Sequence, residues 1–470
     1  MNISHDIEAT PVGGLGLLAE DMLAGLASLQ SNDNELFLCL AKERARQATT
    51  LSMVASSSFA DPSVLVCAGA AISNLTTEGY PGGRYHGGSA VADEVELLAI
   101  ERAKRAFRAQ YANVQPHSCS SANYAVIFSL LDPGDTLLGL DLKAGGHLTH
   151  GAKVSCSGRY FRSLAYGLDD DGLIDYESAR KLAETHRPKL IFCGASAYPR
   201  QIRFEVFRNI ADSVGAILLA DISHIAGLVV AGLHPSPIDV AHITTTSTYK
   251  QLFGPRGGLI LMGRDRNYRT SAGVTLEVTV QKGIFPFFQG TPDLAAIAAK
   301  ARALHLVTHK DFVVVSRRIL ANARALANAL ARRRYVILTA GTDNHIVLVS
   351  LRGKKLSGVV AERALEECGL IVNKNLINGD DRPSGICSGV RLGTNTLAAR
   401  GMKEIDMEKC AELIDQVLGS LTIISDSEYV LSPIVKSSVL GEVRALCQKF
   451  PMPGYATHTE QIRRQTYESL

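Results

Sequence analysis

Two segments of this 470-residue chain combine residue types that could do covalent chemistry. Thr244-Thr245-Thr246-Ser247-Thr248-Tyr249-Lys250 is a hydroxyl-rich run ending in one lysine, and Gly254-Pro255-Arg256-Gly257-Gly258 follows it. Hydroxyls and a glycine-rich turn can supply several phosphate ligands beside an amine. An amine in a partly desolvated pocket loses its proton more readily and can form a Schiff base. Taken alone, the segment also reads as a Thr-rich edge strand ending in a surface lysine. Upstream, Asp221-Ile222-Ser223-His224 follows directly on the apolar run Ala216-Ile217-Leu218-Leu219-Ala220. A ligand-facing strand terminus belongs at such a place. An aspartate there either caps the next helix or pairs with a pyridinium nitrogen and keeps it protonated, which makes pyridoxal phosphate a strong electron sink.

These groups need a scaffold, and the pattern of apolar runs describes one. Val95, Leu98, Ala99, Ala103, Ala106 and Phe107 recur at helical spacing. Pro133-Gly134-Asp135 turns into the run Leu137 to Leu140, Pro188 precedes Leu190 to Cys193, and Leu259 to Met262 follows Gly257-Gly258. Short strands apolar on both faces, separated by helical stretches, predict an α/β fold around a mostly parallel sheet covered on both sides. From Leu294 the pattern predicts a long helical region to Arg334. Strands at Tyr335 to Leu338, Ile346 to Leu351 and Val390 to Leu392 follow, with helices at Gly358 to Cys368 and Met407 to Leu418. That mixture suggests a smaller α+β domain. The expected division is an N-terminal arm over 1–33, a large domain over 34–308, a small C-terminal domain over 309–454 and a polar tail over 455–470. Asp221 on a strand end, with Lys250 closing a hydroxyl-rich run, points to a fold-type-I pyridoxal-phosphate enzyme.

Composition narrows the class without naming chemistry. Lys+Arg 49 against Asp+Glu 46 gives a formal charge of +3, too balanced for a charge-driven nucleic-acid or membrane binder. Mean hydropathy is +0.09, and no 18-residue uncharged apolar run suggests a membrane span. The stretch Gly13 to Leu29 is interrupted by Glu20 and Asp21 and lacks a basic leader, so it does not read as a secretory signal; Leu15 to Leu29 reads either as a short amphipathic helix or as a frayed segment. Nine scattered cysteines without a C-x-x-C pair fit reduced thiols of a cytoplasmic protein, with no metal site by spacing.

From about Asn34 to Pro451 the chain resembles serine hydroxymethyltransferase. The likeness is carried by the runs from Glu78 to Gly88, Tyr111 to Ser118, Gly145 to Gly151, Gly341 to His345 and Ser388 to Thr394. The resemblance implies a fold-type-I transferase with a seven-stranded sheet, acting on serine and glycine with pyridoxal 5'-phosphate and tetrahydrofolate. It implies that Lys250 carries the cofactor and Glu78 acts as the acid/base group. Cys119, Ser120, His147, Ser196, Asp221, His224, Ser247, Tyr249, Gly290 and Thr291 would surround the cofactor. Arg391 would grip the substrate carboxylate, a bidentate task suited to guanidinium, with Ser56, Tyr85 and His86 beside it. Leu142, Gly146 and Asn375 match positions lining the folate pocket. The family builds each site from two subunits, which implies a homodimer or a dimer of dimers.

Some positions depart from the family's pattern. Ser57-Ser58-Phe59 replaces Glu-Asn-Tyr, Thr76 and His86 replace tyrosines, Tyr249 replaces a histidine and Cys119 a glycine. Phe287 and Phe288 replace two glycines, which suggests filled space beside the cofactor's phosphate. Gly385 stands where a pocket phenylalanine is usual. The main reading is a folate-dependent hydroxymethyltransferase. The alternatives are a folate-independent threonine aldolase or transaldolase, and a cofactor-binding paralogue without activity.

Overall fold

The computed structural model describes residues 13–270 and 272–456, so most of the polar tail lies outside the described residues. The chain separates into two units, 1–50 and 51–470. In the first, helix α1 (Gly13–Asn32) is followed by α2 (Asn34–Thr49), whose N-cap Asp33 accepts from the Leu36 amide. Leu17, Leu18, Leu23 and Leu26 are exposed on α1.

The second unit is built on seven strands: β1 (Tyr111–Asn113), β2 (Thr136–Leu140), β3 (Arg162–Tyr166), β4 (Leu190–Gly194), β5 (Ile217–Asp221), β6 (Ile243–Ser247) and β7 (Gly258–Met262). Their order is β1-β7-β6-β5-β4-β2-β3. Neighbours from β6 through β3 run parallel, while β7 is antiparallel to both β1 and β6. Every residue of β4, β6 and β7 is buried, as expected of strands covered on both faces. Helices α3 (Ala90–Phe107), α4 (Cys119–Leu130), α5 (Tyr176–His186) and α6 (Phe204–Val214) alternate with the strands. Two apolar clusters occupy the sheet's faces: Leu138, Ile191, Leu218 and Leu259 alternate along the strands with Leu137, Leu190, Leu219 and Ile260.

The hydroxyl-rich segment is an interior strand rather than an edge. β6 lies between β5 and β7, and two of its three threonine hydroxyls find partners there, while Thr244 Oγ1 is buried without one. Thr245 Oγ1 donates to Asn123 Oδ1 at 2.6 Å and Thr246 Oγ1 to the Ser247 carbonyl at 3.0 Å.

The long helical region expected from Leu294 to Arg334 is two helices, α7 (Leu294–Leu306) and α8 (Lys310–Arg332). His309 is extended at the N-cap of α8, and no glycine or proline marks the break. Beyond it, β8 (Val336–Ile337), β9 (Ile346–Ser350), β10 (Asn373–Asn375) and β11 (Gly389–Gly393) form an antiparallel sheet ordered β8-β9-β11-β10. With α8, α9 (Gly358–Glu367) and α10 (Glu404–Gly419) it encloses a further apolar cluster containing Leu326, Val347, Leu365 and Ile414. Leu51 and Met53 belong to that cluster, because Leu51–Ser52 pairs with Leu370–Ile371. No helix among the described residues is long and apolar enough to cross a membrane.

Candidate active site

The parallel strands deliver polar residues to one end of the sheet. β4 runs out at Ala195 and Ser196, β5 at Asp221, and β6 leads to Tyr249 and Lys250. The N-terminus of α4 closes the group. In α4 the N-cap Ser118 accepts from the Ser121 amide at 3.0 Å, and Ser121 Oγ accepts from the Ser118 amide at 2.8 Å. This reciprocal cap fixes the turn that carries Cys119 and Ser120. Close approach of β4 and β5 needs Gly194, where a Cβ would fall 2.3 Å from the Asp221 carbonyl oxygen.

These ends enclose a cavity of about 200 Å3. Nine of the expected residues line it: Cys119, Ser120, His147, Ser196, Asp221, His224, Ser247, Tyr249 and Lys250. Asp221 is the best-supported group in it. Its carboxylate accepts from Asn123 Nδ2 at 2.9 Å, from His150 Nε2 at 3.1 Å and from the Ser223 amide at 3.0 Å. Burial would push this carboxyl up, but His150, His147 and Ser223 outweigh it and hold Asp221 well below the usual carboxylate range. Cys119 Sγ lies 3.6 Å from both carboxylate oxygens. Burial and the Asp221 charge push that thiol far up, so it stays protonated and faces the aspartate as a donor.

Lys250 Nζ makes no hydrogen bond or ion pair with a described residue, and the residue is 6% exposed. Burial lowers its pKa to about 8, against the opposing pull of Asp221 and Cys119. Tyr249 lies under the Arg256 guanidinium, 4.6 Å from ring centroid to Cζ. Burial takes His147 down to about 4; its Nδ1 meets Thr149 Oγ1 at 2.9 Å. His224 stacks on His345 with centroids 5.7 Å apart, and its Nδ1 is buried without a hydrogen-bond partner.

Arg391, on β11, reaches the edge of this group. Its Nη1 donates to the Ser196 carbonyl and its Nε to Asn373 Oδ1 at 3.1 Å. It forms no ion pair among the described residues, and burial lowers its pKa to about 10. The Ser56 segment is held beside β11. A Cβ on Gly393 would fall 2.4 Å from Ala55 Cα, and the Ala55 carbonyl accepts from His345 Nε2 and Asn395 Nδ2, each at 3.0 Å.

Other expected residues lie elsewhere. Glu78, Tyr85, His86, Gly290 and Thr291 are off the wall of this cavity. Glu78 and Gly290 are neighbours, Glu78 Oε1 falling 3.5 Å from where a Gly290 Cβ would stand. Tyr85 is 73% exposed and meets the Phe285 ring at 5.7 Å. Leu142, Gly146 and Asn375 flank a second cavity whose wall includes Lys143, Gly145, Leu376 and Asn378, without lining it themselves. Phe287 and Phe288 do not fill the first cavity as expected. Both are exposed, and Phe288 stacks on Phe128.

Sequence reasoning gave no role to Asn123, Thr149 or His150, and named Arg256 only as part of the glycine-rich turn. Asn123 joins three elements, donating to Asp221 and to Thr149 Oγ1 at 2.9 Å while accepting from Thr245. Nothing local to Asn123 announces a partner 98 positions away. His147, His150 and Asp221 bring ligand atoms within 4.8 Å of one another, although the His150–Asp221 bond already uses two of them.

Comparison with known proteins agrees in extent and in kind. The protein-family model for serine hydroxymethyltransferase matches residues 29–414. A serine hydroxymethyltransferase of Campylobacter jejuni subsp. jejuni is 47% identical over 391 residues, 83% of this chain and 92% of that protein. One of Wolbachia pipientis subsp. Culex pipiens is 44% identical over 426 residues, 90% of this chain and 97% of that protein.

Proposed function

Because this chain belongs to the serine hydroxymethyltransferase family, we propose that it cleaves and forms the Cα–Cβ bond of serine, with tetrahydrofolate as the one-carbon acceptor. One observation carries the reading: a buried lysine and a buried aspartate line one cavity, and the Arg391 guanidinium, without an ion pair among the described residues, bonds the Ser196 carbonyl on its wall.

The donors fit pyridoxal 5'-phosphate. Lys250 offers an amine that no protein group occupies, Asp221 an anionic partner for a ring nitrogen, and His224 Nδ1 a buried position without a bond. The α4 N-terminus, Ser118, Ser120 and Arg256 offer phosphate contacts. When bound, the cofactor supplies an electron sink for the pair released as the Cα–Cβ bond breaks.

The chain's own residues do the rest. Lys250 would hold the cofactor, its buried amine supplying a neutral nucleophile for an aldehyde. Asp221, kept anionic by Asn123, His150 and Ser223, holds a proton at the ring nitrogen. Arg391 binds the substrate carboxylate, and its tether to the Ser196 carbonyl sets the approach. His147, neutral through burial, faces the cavity without adding charge. Glu78 takes the hydroxyl proton as Cβ leaves as formaldehyde, which tetrahydrofolate captures. Since Glu78, Tyr85, His86, Gly290 and Thr291 lie off their own cavity wall, the reading includes a homodimer in which a second copy brings them.

The test is spectroscopic and kinetic. Pyridoxal 5'-phosphate should give a visible absorbance band that Lys250→Ala abolishes, and glycine formation from serine should require tetrahydrofolate. Cleavage of threonine or serine at a rate indifferent to folate would instead establish the aldolase reading. A bound cofactor without exchange of the glycine α-proton would establish the inactive paralogue.

A further inference from the structure

Lys300, on α7, is 1% exposed and forms no ion pair among the described residues. Its Nζ donates to the Val114 carbonyl at 2.6 Å and to the Pro116 carbonyl at 2.9 Å. Those carbonyls belong to the segment that leaves β1 and becomes the His117–Ser120 wall of the cavity. The Pro116 carbonyl also accepts from the Gly258 amide at 2.9 Å, tying the same point to the start of β7. From another side, Gln289 Nε2 donates to the Gln115 carbonyl at 3.1 Å. Three successive carbonyls are thus held by side chains distant in sequence.

The Lys300 stem lies against a second wall segment. A Cβ on Gly257 would fall 2.2 Å from Lys300 Cε and 3.0 Å from Thr248 Oγ1. A Cβ on Gly258 would fall 2.4 Å from the Ser118 carbonyl oxygen. Two adjacent glycines therefore let the 114–119, 248–250 and 256–258 segments converge, with Lys300 between them. Burial lowers this lysine to about 7, against the opposing fields of Asp293 and Glu96. A buried ammonium with only carbonyl partners favours an anion placed nearby, and the N-terminus of α4 favours one at the same turn.

Building on the cofactor reading above, we propose that Lys300 is a positioning residue for the cofactor's phosphate. Its ammonium fixes the Ser118–Ser120 turn against Arg256–Gly258 and keeps positive charge behind the phosphate position. A lysine serving only to fill the core would influence any ligand of the cavity alike. Lys300 should discriminate between ligands that differ by the phosphate.

The experiment compares pyridoxal 5'-phosphate with pyridoxal by equilibrium dialysis against cofactor-stripped full chain. Lys300→Met should weaken the phosphorylated ligand by about tenfold or more and change the affinity for pyridoxal by less than about threefold. Gly257→Ala keeps the lysine but displaces its stem, and should show the same selectivity; it carries the test should Lys300→Met fail to fold. Equal weakening of both ligands, or no weakening of the phosphorylated one, overturns the role of Lys300. Wild-type protein that takes up neither ligand would instead remove the cofactor reading itself and this inference with it.

Discussion

In the proposed reaction Lys250 acts as an amine while buried beside a carboxylate and a thiol, and the balance of those influences sets when it can. Burial disfavours its ammonium more than Asp221 and Cys119 favour it, leaving a pKa of about 8. The neutral fraction of Lys250 therefore grows as pH rises through about 8, well below the range of an ordinary lysine. We expect the rate at which cofactor-free protein captures pyridoxal 5'-phosphate, followed as growth of visible absorbance, to rise between about pH 7 and 9 and then level off. A midpoint near 10 would show that the site does not desolvate the amine. The same lowered value means the unfolded chain binds more protons between 8 and 10.5, so this group adds stability to the cofactor-free fold as pH rises through that window. Lys250 and Asp221 were legible in the sequence because each ends an apolar or hydroxyl-rich run. Asn123 and Lys300 were not, because their roles exist only through partners 98 and 186 positions away.

At the scale of elements, β7 and α4 meet backbone to backbone. A Cβ on Gly258 would fall 2.4 Å from the Ser118 carbonyl oxygen and 2.6 Å from its carbon, neither of which is a flexible group. Gly258→Ala must push the strand from the helix terminus or distort the cap at Ser118. We expect a loss of roughly 1–3 kcal/mol in urea denaturation, typical of overpacking, together with weaker cofactor retention on gel filtration. Unchanged stability would mean that the two elements part without cost. The strands themselves were readable where both faces are apolar, as in β2, β4, β5 and β7. β3 was not, since Arg162-Ser163-Leu164-Ala165-Tyr166 carries polar and half-exposed positions at the sheet's margin. The break between α7 and α8 was hidden for the opposite reason. Apolar spacing continues through Leu306 and Val307 into Phe312, and only the backbone at His309 interrupts it.

At the scale of the molecule, the expected site residues fall into two sets, those that line the cavity and those that do not. Lys250, Asp221 and Ser120 line the cavity, whereas Glu78 and Gly290 pair off away from its wall. Near the second set, Tyr80, Tyr85, Phe285 and Pro286 line an open groove of about 570 Å3, and Tyr85 is largely exposed. Val91, Leu97 and Leu98 of α3 are exposed as well. Apolar surface of this kind beside an incomplete site favours closure by an identical copy, since a twofold interface presents each patch to its counterpart. The arrangement can be tested by complementation. Lys250→Ala removes one set's essential group and Glu78→Gln the other's, so each homodimer should be nearly inactive. Co-expressed and purified as hybrids, the two chains would rebuild one whole site from the Glu78→Gln chain's lysine and the Lys250→Ala chain's glutamate. With one of its two sites whole, the purified hybrid should restore roughly half of wild-type activity, in particles of twice the 50.4 kDa chain mass or more. Absence of recovery in confirmed hybrids would place Glu78 within its own chain's site and require the 78–86 segment to move there.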